Sequence, residues 1–406
     1  MVLDIVIMAA GKGTRMKSRH PKVLHRLAGK PLLAHVLATT ATLGRHPTWV
    51  ITGFGAEAVE SAIAGTGALS VRQMPQLGTG HAVAQVVPHL GGTGVDDQGT
   101  TLILNGDVPL IEAATARALA EACGGLRLAL LTIRLDDATG YGRILRSGDS
   151  EGGRVLGIVE HKDATPQQRD IHEVYTGMMA APTAALKRWV AALSNDNAQG
   201  EYYLTDIVAM AVAEGVPVVA THAADDTEVL GVNSPLQLAD LERRLQRRQA
   251  DALLEAGVRL ADPARFDLRG TLATGQDVEI DVGCVFEGAV TLGDEVRIGA
   301  HCVIRDAVIA AGAVIHPFSH IEGATVGAGC LIGPFARLRP GADLAEAVHI
   351  GSNCVLIAPV TIGAGGTVGG GSTISRSTPA GQLTVARGHQ VSLAGWTRPV
   401  KATKGG

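Results

Sequence analysis

Between residues 280 and 374 an apolar side chain returns at every sixth position, and that period admits very few folds. Ile280, Phe286, Leu292, Ile298 and Ile304 open the series. Ile309, Ile315 and Ile321 follow after a one-residue slip, and Val326, Ile332, Leu338, Leu344, Ile350, Leu356, Ile362, Val368 and Ile374 follow after a second. A period of six fits neither the 3.6-residue helix nor the two-residue alternation of a half-buried hairpin. It fits a triangular β-solenoid: each side takes one hexapeptide, three sides close a coil, and the inward residue stacks on its counterpart one coil away. Glycine, at 52 of 406 residues, supplies the turns, and an aromatic share of only 3% leaves a core of Val, Ile, Leu and Ala. Cys284 and Cys302 fall one coil apart and are expected to stack as small hydrophobes, not as a redox pair.

The front of the chain has a different rhythm. Asp4–Ala9, Trp49–Thr52, Thr101–Asn105 and Leu126–Arg134 are candidate strands, separated by amphipathic stretches such as Lys30–Leu43 and Thr115–Ala122. Such β-α-β alternation predicts a mostly parallel sheet with helices on both faces and a ligand site beyond the carboxyl ends of the strands. Ser234–Gly257 carries leucines at near-helical spacing, with Arg243, Arg244, Arg247 and Arg248 on the remaining surface. It predicts one long helix bridging two domains, its arginines a solvated face. The expected divisions are an α/β domain over 1–232, a helical arm over 233–257, a β-helix over 258–378 and a tail over 379–406.

Net charge is −4, which disfavours a whole-chain nucleic-acid binder and makes any anion site a local cluster. Five cysteines at wide spacing, with no CxxC pair, read as reduced thiols. No run is long enough to cross a membrane, and the opening strand precedes its basic residues, the reverse of a secretory signal. A cytoplasmic location is expected.

The first candidate strand runs into Met8-Ala9-Ala10-Gly11-Lys12-Gly13-Thr14-Arg15-Met16, and Pro21-Lys22-Val23-Leu24 follows. Glycines let consecutive N–H groups face an anion, and Arg15 and Lys22 add fixed positive charge. The spacing is neither a Walker A loop nor a dinucleotide fingerprint, whose third glycine position here holds Met16. A phosphate cradle and a plain tight turn are the two readings of this loop. Asp107, after a strand, reads alone as either a metal ligand or a loop cap.

These residues sit among further motifs: PKVLH, QLGTGHA, GDVPL, GYGRI, GIVEHKDAT, NAQGEYYLTD, DPARFDLRGTL and GPFARLRPGA, in that order. Together they resemble the bacterial bifunctional N-acetylglucosamine-1-phosphate uridylyltransferase/glucosamine-1-phosphate acetyltransferase family across nearly the whole chain. The resemblance implies an α/β nucleotidyltransferase fold followed by a left-handed hexapeptide-repeat β-helix, usually in a homotrimer. It implies attack of N-acetylglucosamine 1-phosphate on UTP, giving UDP-N-acetylglucosamine for envelope precursors and pyrophosphate. It places Mg²⁺ on Asp107 and Asn233, and the triphosphate on Arg15 and Lys22. Uracil contacts fall to Met8, Ala9, Ala10, Gly11, Gln73, Gly78 and Thr79. The sugar pocket falls to Asn105, Gly106, Gly142, Glu160 and Tyr175, of which Asn105 and Tyr175 replace the family's usual Tyr and Asn.

The rear departs further. The family's second reaction uses a general-base His in a GHLTY-like stretch and a CNYDG-like loop, but here Val348-His349-Ile350-Gly351 runs directly into Ser352-Asn353-Cys354. Roughly three coils and a loop are expected to be absent, with the six-residue register intact across the junction. Arg337 matches a sugar-phosphate contact of that site, and Ser352, Gly370 and Arg387 match positions near acetyl-CoA. His316, His320 and His349 do not match the base by motif. Three readings follow: a uridylyltransferase on a shortened scaffold, an enzyme keeping both activities, or a non-catalytic sugar-nucleotide scaffold.

Overall fold

The computed structural model describes residues 2–91, 99–148, 153–388, 392 and 394–396, so most of the expected tail beyond 388 lies outside the described residues. The chain divides into two compact units, 1–245 and 246–406.

The first unit is built on a nine-stranded sheet, with a separate two-stranded ribbon of Arg26–Leu27 and Lys30–Pro31. The sheet's strands in chain order are β1 (Leu3–Met8), β2 (Thr48–Thr52), β3 (Leu69–Arg72), β4 (Thr100–Asn105), β5 (Leu128–Arg134), β6 (Gly142–Arg146), β7 (Val155–Val159), β8 (Glu173–Pro182) and β9 (Val218–His222). They are ordered β9-β5-β8-β4-β1-β2-β3, with β6 and β7 as a side branch on β8. β1 pairs parallel with both β2 and β4, whereas β8 is antiparallel to β4 and β5.

Helices α1 (Leu32–Ala41), α2 (Ala56–Ile63), α3 (Thr79–Val86), α4 (Ala113–Cys123), α5 (Thr183–Ala191) and α6 (Ile207–Ala213) accompany the sheet. β1 shows why. Ile5 and Ile7 enter one core with Leu33, Val36 and Leu119, while Val6 enters the other with Val83, Leu186 and Trp189. A strand apolar on both faces must be covered on both. α7 (Pro235–Glu255) is the long amphipathic helix, and its Leu241 joins Met16, Leu27, Leu32, Leu110 and Val232 in a separate cluster. Among the described residues no helix is long and apolar enough to cross a membrane.

The strand expected from Leu126 begins at Leu128. Leu126 is exposed, and its N–H donates to the Cys123 carbonyl at the end of α4. β8 was not anticipated.

The second unit is a hexapeptide-repeat β-helix. All seventeen inward positions are buried, none more than 2% exposed. Ile280 pairs with Ile298, Ile298 with Ile315, Ile315 with Ile332, Ile332 with Ile350 and Ile350 with Val368 along one parallel sheet. The two slips in the sequence are thus two corners, each one residue shorter, that leave the stacking unbroken. Ile350 and Leu356 keep their places on either side of the junction, Leu356 pairing between Leu338 and Ile374. Outward positions stack as well. Arg269, Glu287, Arg305 and Glu322 alternate in sign on successive coils, with Arg269 Nη1 3.1 Å from Glu287 and Arg305 Nη1 3.5 Å from Glu322. Like charges directly opposite would destabilise such a ladder.

Cys284 lies one register step before the Val285–Val303 pair and so stacks on Cys302. Burial pushes the Cys284 thiol up to about 11 and the Cys302 thiol to about 12. All five cysteines are buried and free. Because the thiolate is the nucleophile, native protein should titrate fewer than about one thiol with a chromogenic disulfide, and all five after denaturation in guanidinium. Rapid labelling of two or more in the native state would contradict this burial.

Candidate functional site

Two adjoining cavities open at the carboxyl ends of β1 and β4, where a sheet of this order presents its ligand crevice. They share Met8, Thr79 and Asn105. The larger, about 380 Å³, is lined by Ala9, Ala10, Gly11, Lys12, Lys22, Gln73, Gly78 and Asp107 among others. The smaller, about 220 Å³, takes Tyr141, Gly142, Glu160, Tyr175 and Thr205. A third cavity of about 920 Å³, bounded by α1 and residues 62–68, holds no carboxylate and none of these groups.

The glycine loop leaves β1 and turns through Gly13, whose φ is +62°. A Cβ there would lie 2.7 Å from the Cβ of Lys22, so the glycine makes room for the lysine stem as well as supplying the left-handed turn. Lys22 occupies a short 3-10 turn, Lys22–Leu24. Its ammonium donates to Asp107 Oδ2 and, at 2.9 Å, to Asn233 Oδ1. Asp107 follows β4, where the Gly106 N–H donates to the Met8 carbonyl at 3.0 Å and locks the two loops together. The Val232 N–H donates to the Asp107 carbonyl at 2.9 Å, which brings Asn233 alongside. Three residues separated by 85 and 211 positions therefore converge on one point.

In the larger cavity, Gln73 is buried and its Nε2 donates to the Gly78 carbonyl at 2.9 Å and meets His81 Nδ1 at 3.2 Å, leaving Oε1 as the group it can offer a ligand. Thr79 Oγ1 accepts from the Leu204 N–H at 3.0 Å and keeps its own proton to donate. In the smaller cavity, Thr205 donates to Glu160 Oε1 at 3.0 Å, and burial raises the Glu160 carboxyl above its ordinary range. Tyr175 stands well above the ordinary phenol value, through burial first and the Glu160 charge second, and its hydroxyl has no protein partner. Asn105 Nδ2 donates to the Thr176 carbonyl at 3.4 Å, and a Cβ on the adjacent Gly177 of β8 would come within 2.3 Å of the same nitrogen. Gly177, with φ +88°, thus admits the amide that replaces a larger ring.

Arg15 is exposed on the 3-10 turn Thr14–Met16 and lines neither cavity. Tyr141 links it to the rest: its phenol is raised by burial and by the Asp107 charge and lowered by Arg15, so it lies within electrostatic reach of both. Lys12, Gln76, Glu201, Tyr141 and Thr205 line the cavities without having been singled out. All five lie inside motifs already noted: Gln76 opens QLGTGHA, and Glu201 sits with Thr205 in NAQGEYYLTD.

Among the described residues no three His, Cys, Asp or Glu side chains gather as a metal site. Asp107 and Asn233 instead offer one carboxylate and one amide oxygen, a sparse hard-oxygen set suited to a divalent cation that keeps waters and takes phosphate oxygens. That the Lys22 ammonium sits between these oxygens shows that the point accepts a cation.

In the rear unit, Ser352 and Gly370 meet across adjacent coils, the Gly371 N–H donating to the Ser352 carbonyl at 2.8 Å. The Arg387 guanidinium approaches Gly369. Arg337 is exposed and pairs in register with His320 and Val355.

Residues 5–260 match the MobA-like NTP transferase domain family, and residues 268–358 match the GMPPB C-terminal domain. The bifunctional protein GlmU of Methylibium petroleiphilum is 64% identical, over 98% of this chain and 100% of its own length. The chain belongs to the GlmU family. The GlmU proteins of Acidovorax sp. strain JS42 and Ralstonia nicotianae are 56% and 48% identical, each over 99% of this chain and at least 99% of their own. The Methylibium alignment spans 463 positions while using 98% of this chain's 406 residues, so about 65 positions of that GlmU face gaps. Three coils and a loop amount to a deficit of that size.

Proposed function

We propose that the protein makes UDP-N-acetylglucosamine by transferring the uridylyl group of UTP to N-acetylglucosamine 1-phosphate, with release of pyrophosphate. The observation that carries this is the convergence of Lys22, Asp107 and Asn233 where the glycine loop meets the two joined cavities.

The larger cavity takes the nucleotide and the smaller the sugar. Gln73 and Thr79 address the uracil edge, and the loop from Met8 to Gly11 lies beneath the nucleotide. Glu160, steadied by Thr205, accepts from sugar hydroxyls beside Gly142, Asn105 and Tyr175. The incoming phosphate monoester has its second pKa near 6 and is mostly dianionic at neutral pH, so it needs no general base. Its oxygen bonds to the α-phosphorus as the bond to pyrophosphate breaks. Lys22 and Arg15 hold the triphosphate and offset its charge, so that catalysis rests on positioning and electrostatics. Asp107 and Asn233 would hold Mg²⁺, which when bound neutralises charge on the phosphate oxygens.

The β-helix serves as a scaffold for a homotrimer, and the five unpaired buried thiols suit a cytoplasmic setting. A second reading, in which acetyl-CoA also acetylates glucosamine 1-phosphate, is favoured by the bifunctional name of the relatives and by the closeness of Ser352, Gly370 and Arg387 on neighbouring coils.

Purified protein incubated with UTP, N-acetylglucosamine 1-phosphate and Mg²⁺ is expected to release pyrophosphate in step with the sugar nucleotide. Absence of both products would overturn the proposal and favour a non-catalytic scaffold.

A further inference from the structure

Lys22 carries more than a charge for the triphosphate. Its ammonium is already engaged, bonded to the same Asp107 and Asn233 oxygens that would hold a divalent cation. Both partners are largely sheltered, the Lys22 and Asp107 side chains being 15% and 18% exposed. An ammonium and a divalent cation held on the same Asp107 and Asn233 oxygens repel each other at close range, so the two compete for the position. The lysine stem passes close to Gly13, and Lys22 lines the cavity together with Gly11 and Lys12. Rotation about the stem therefore carries the ammonium from the oxygens toward the space a triphosphate would fill.

We propose that Lys22 is a resident counter-cation that occupies the metal position of the free protein and yields it only when nucleotide phosphates give the ammonium another partner. This inference rests on the proposed roles of Asp107 and Asn233. Metal and nucleotide then bind as a coupled pair: each makes room for, or is drawn in by, the other, and the coupling is reciprocal. In the free state Lys22 also keeps Asp107 from standing as an uncompensated, sheltered carboxylate.

The test is Mn²⁺ binding to the full-length protein without nucleotide, followed by electron paramagnetic resonance, with the Mn²⁺-induced rise in thermal midpoint as a second readout. Wild type is expected to bind weakly. Lys22→Met removes the competing ammonium and keeps most of the stem, so its affinity should rise by about tenfold or more, as expected for loss of a charge-assisted bond. Its midpoint should respond more strongly to Mn²⁺ at the same concentration. Lys22→Gln serves the same purpose if the methionine variant does not fold. If these variants bind Mn²⁺ no more tightly than wild type while Asp107→Asn abolishes binding, the resident-cation role is overturned and the metal site stands. If Asp107→Asn leaves Mn²⁺ binding unchanged, the metal site itself fails, and this inference with it.

Discussion

Replacing Asp107 with asparagine is expected to lower kcat/KM for uridylyl transfer by about a thousandfold, with little change in thermal midpoint. The substitution is nearly isosteric and leaves the backbone bonds from Gly106 to Met8 and from Val232 to Asp107 in place. What it removes is the one carboxylate at the meeting point of the glycine loop, β4 and the segment before α7. Lys22 then loses its charged partner, and the divalent cation proposed for this point would lose its anionic protein ligand. Removing a single preorganised electrostatic group from an active site typically costs about 10²–10³ in rate, and the loss of cation retention adds to that. Pyrophosphate release at subsaturating UTP, compared with wild type at equal enzyme concentration, measures the effect. A variant within tenfold of wild type would mean that the chemistry happens elsewhere.

The second large effect concerns the rear unit. Given acetyl-CoA and glucosamine 1-phosphate, the protein is expected to release CoA thiol at no more than about 10⁻² to 10⁻⁴ of the rate of a relative that retains the full set of coils, the usual cost of losing a positioned general base. The histidines closest in sequence to the junction do not match that base by motif. His349 and His320 lie on outward strand positions that pair with Leu331 and Arg337 respectively, and His316 follows the strand Val314–Ile315. Thiol release at a rate comparable to such a relative would show that another residue took over the base's role.

The rear unit was legible because its period is local: six residues specify one side of a coil, and a shortened corner shows directly as a slip. The opening loop and GDVPL were legible as motifs, and the strands before them as continuous apolar runs. The meeting of Lys22 with Asp107 and Asn233 was not, because two anticipated cation ligands are bonded to a residue anticipated for the triphosphate, and only folding brings them together. β8 escaped notice for a local reason. Its sequence EVYTGMMAAP is buried on both faces and carries a glycine at a register shift, so it shows no alternation. Gln73 was expected among the uracil contacts, but only folding shows that its amide nitrogen is taken up by the Gly78 carbonyl and His81, which leaves the oxygen to face a ligand. Arg15 belongs to the right loop yet stays in solvent outside the cavity walls.

The unbroken register across Gly351 and Ser352 reaches beyond this chain. Each coil presents to its neighbours the same rows of backbone donors and acceptors, and each depends mainly on the coils that flank it. Whole turns can therefore be excised or spliced in at that seam without rewriting the residues on either side, provided the segment closes on a full triangle. Length in such a column is a modular trait, lost or regained independently of the catalytic head.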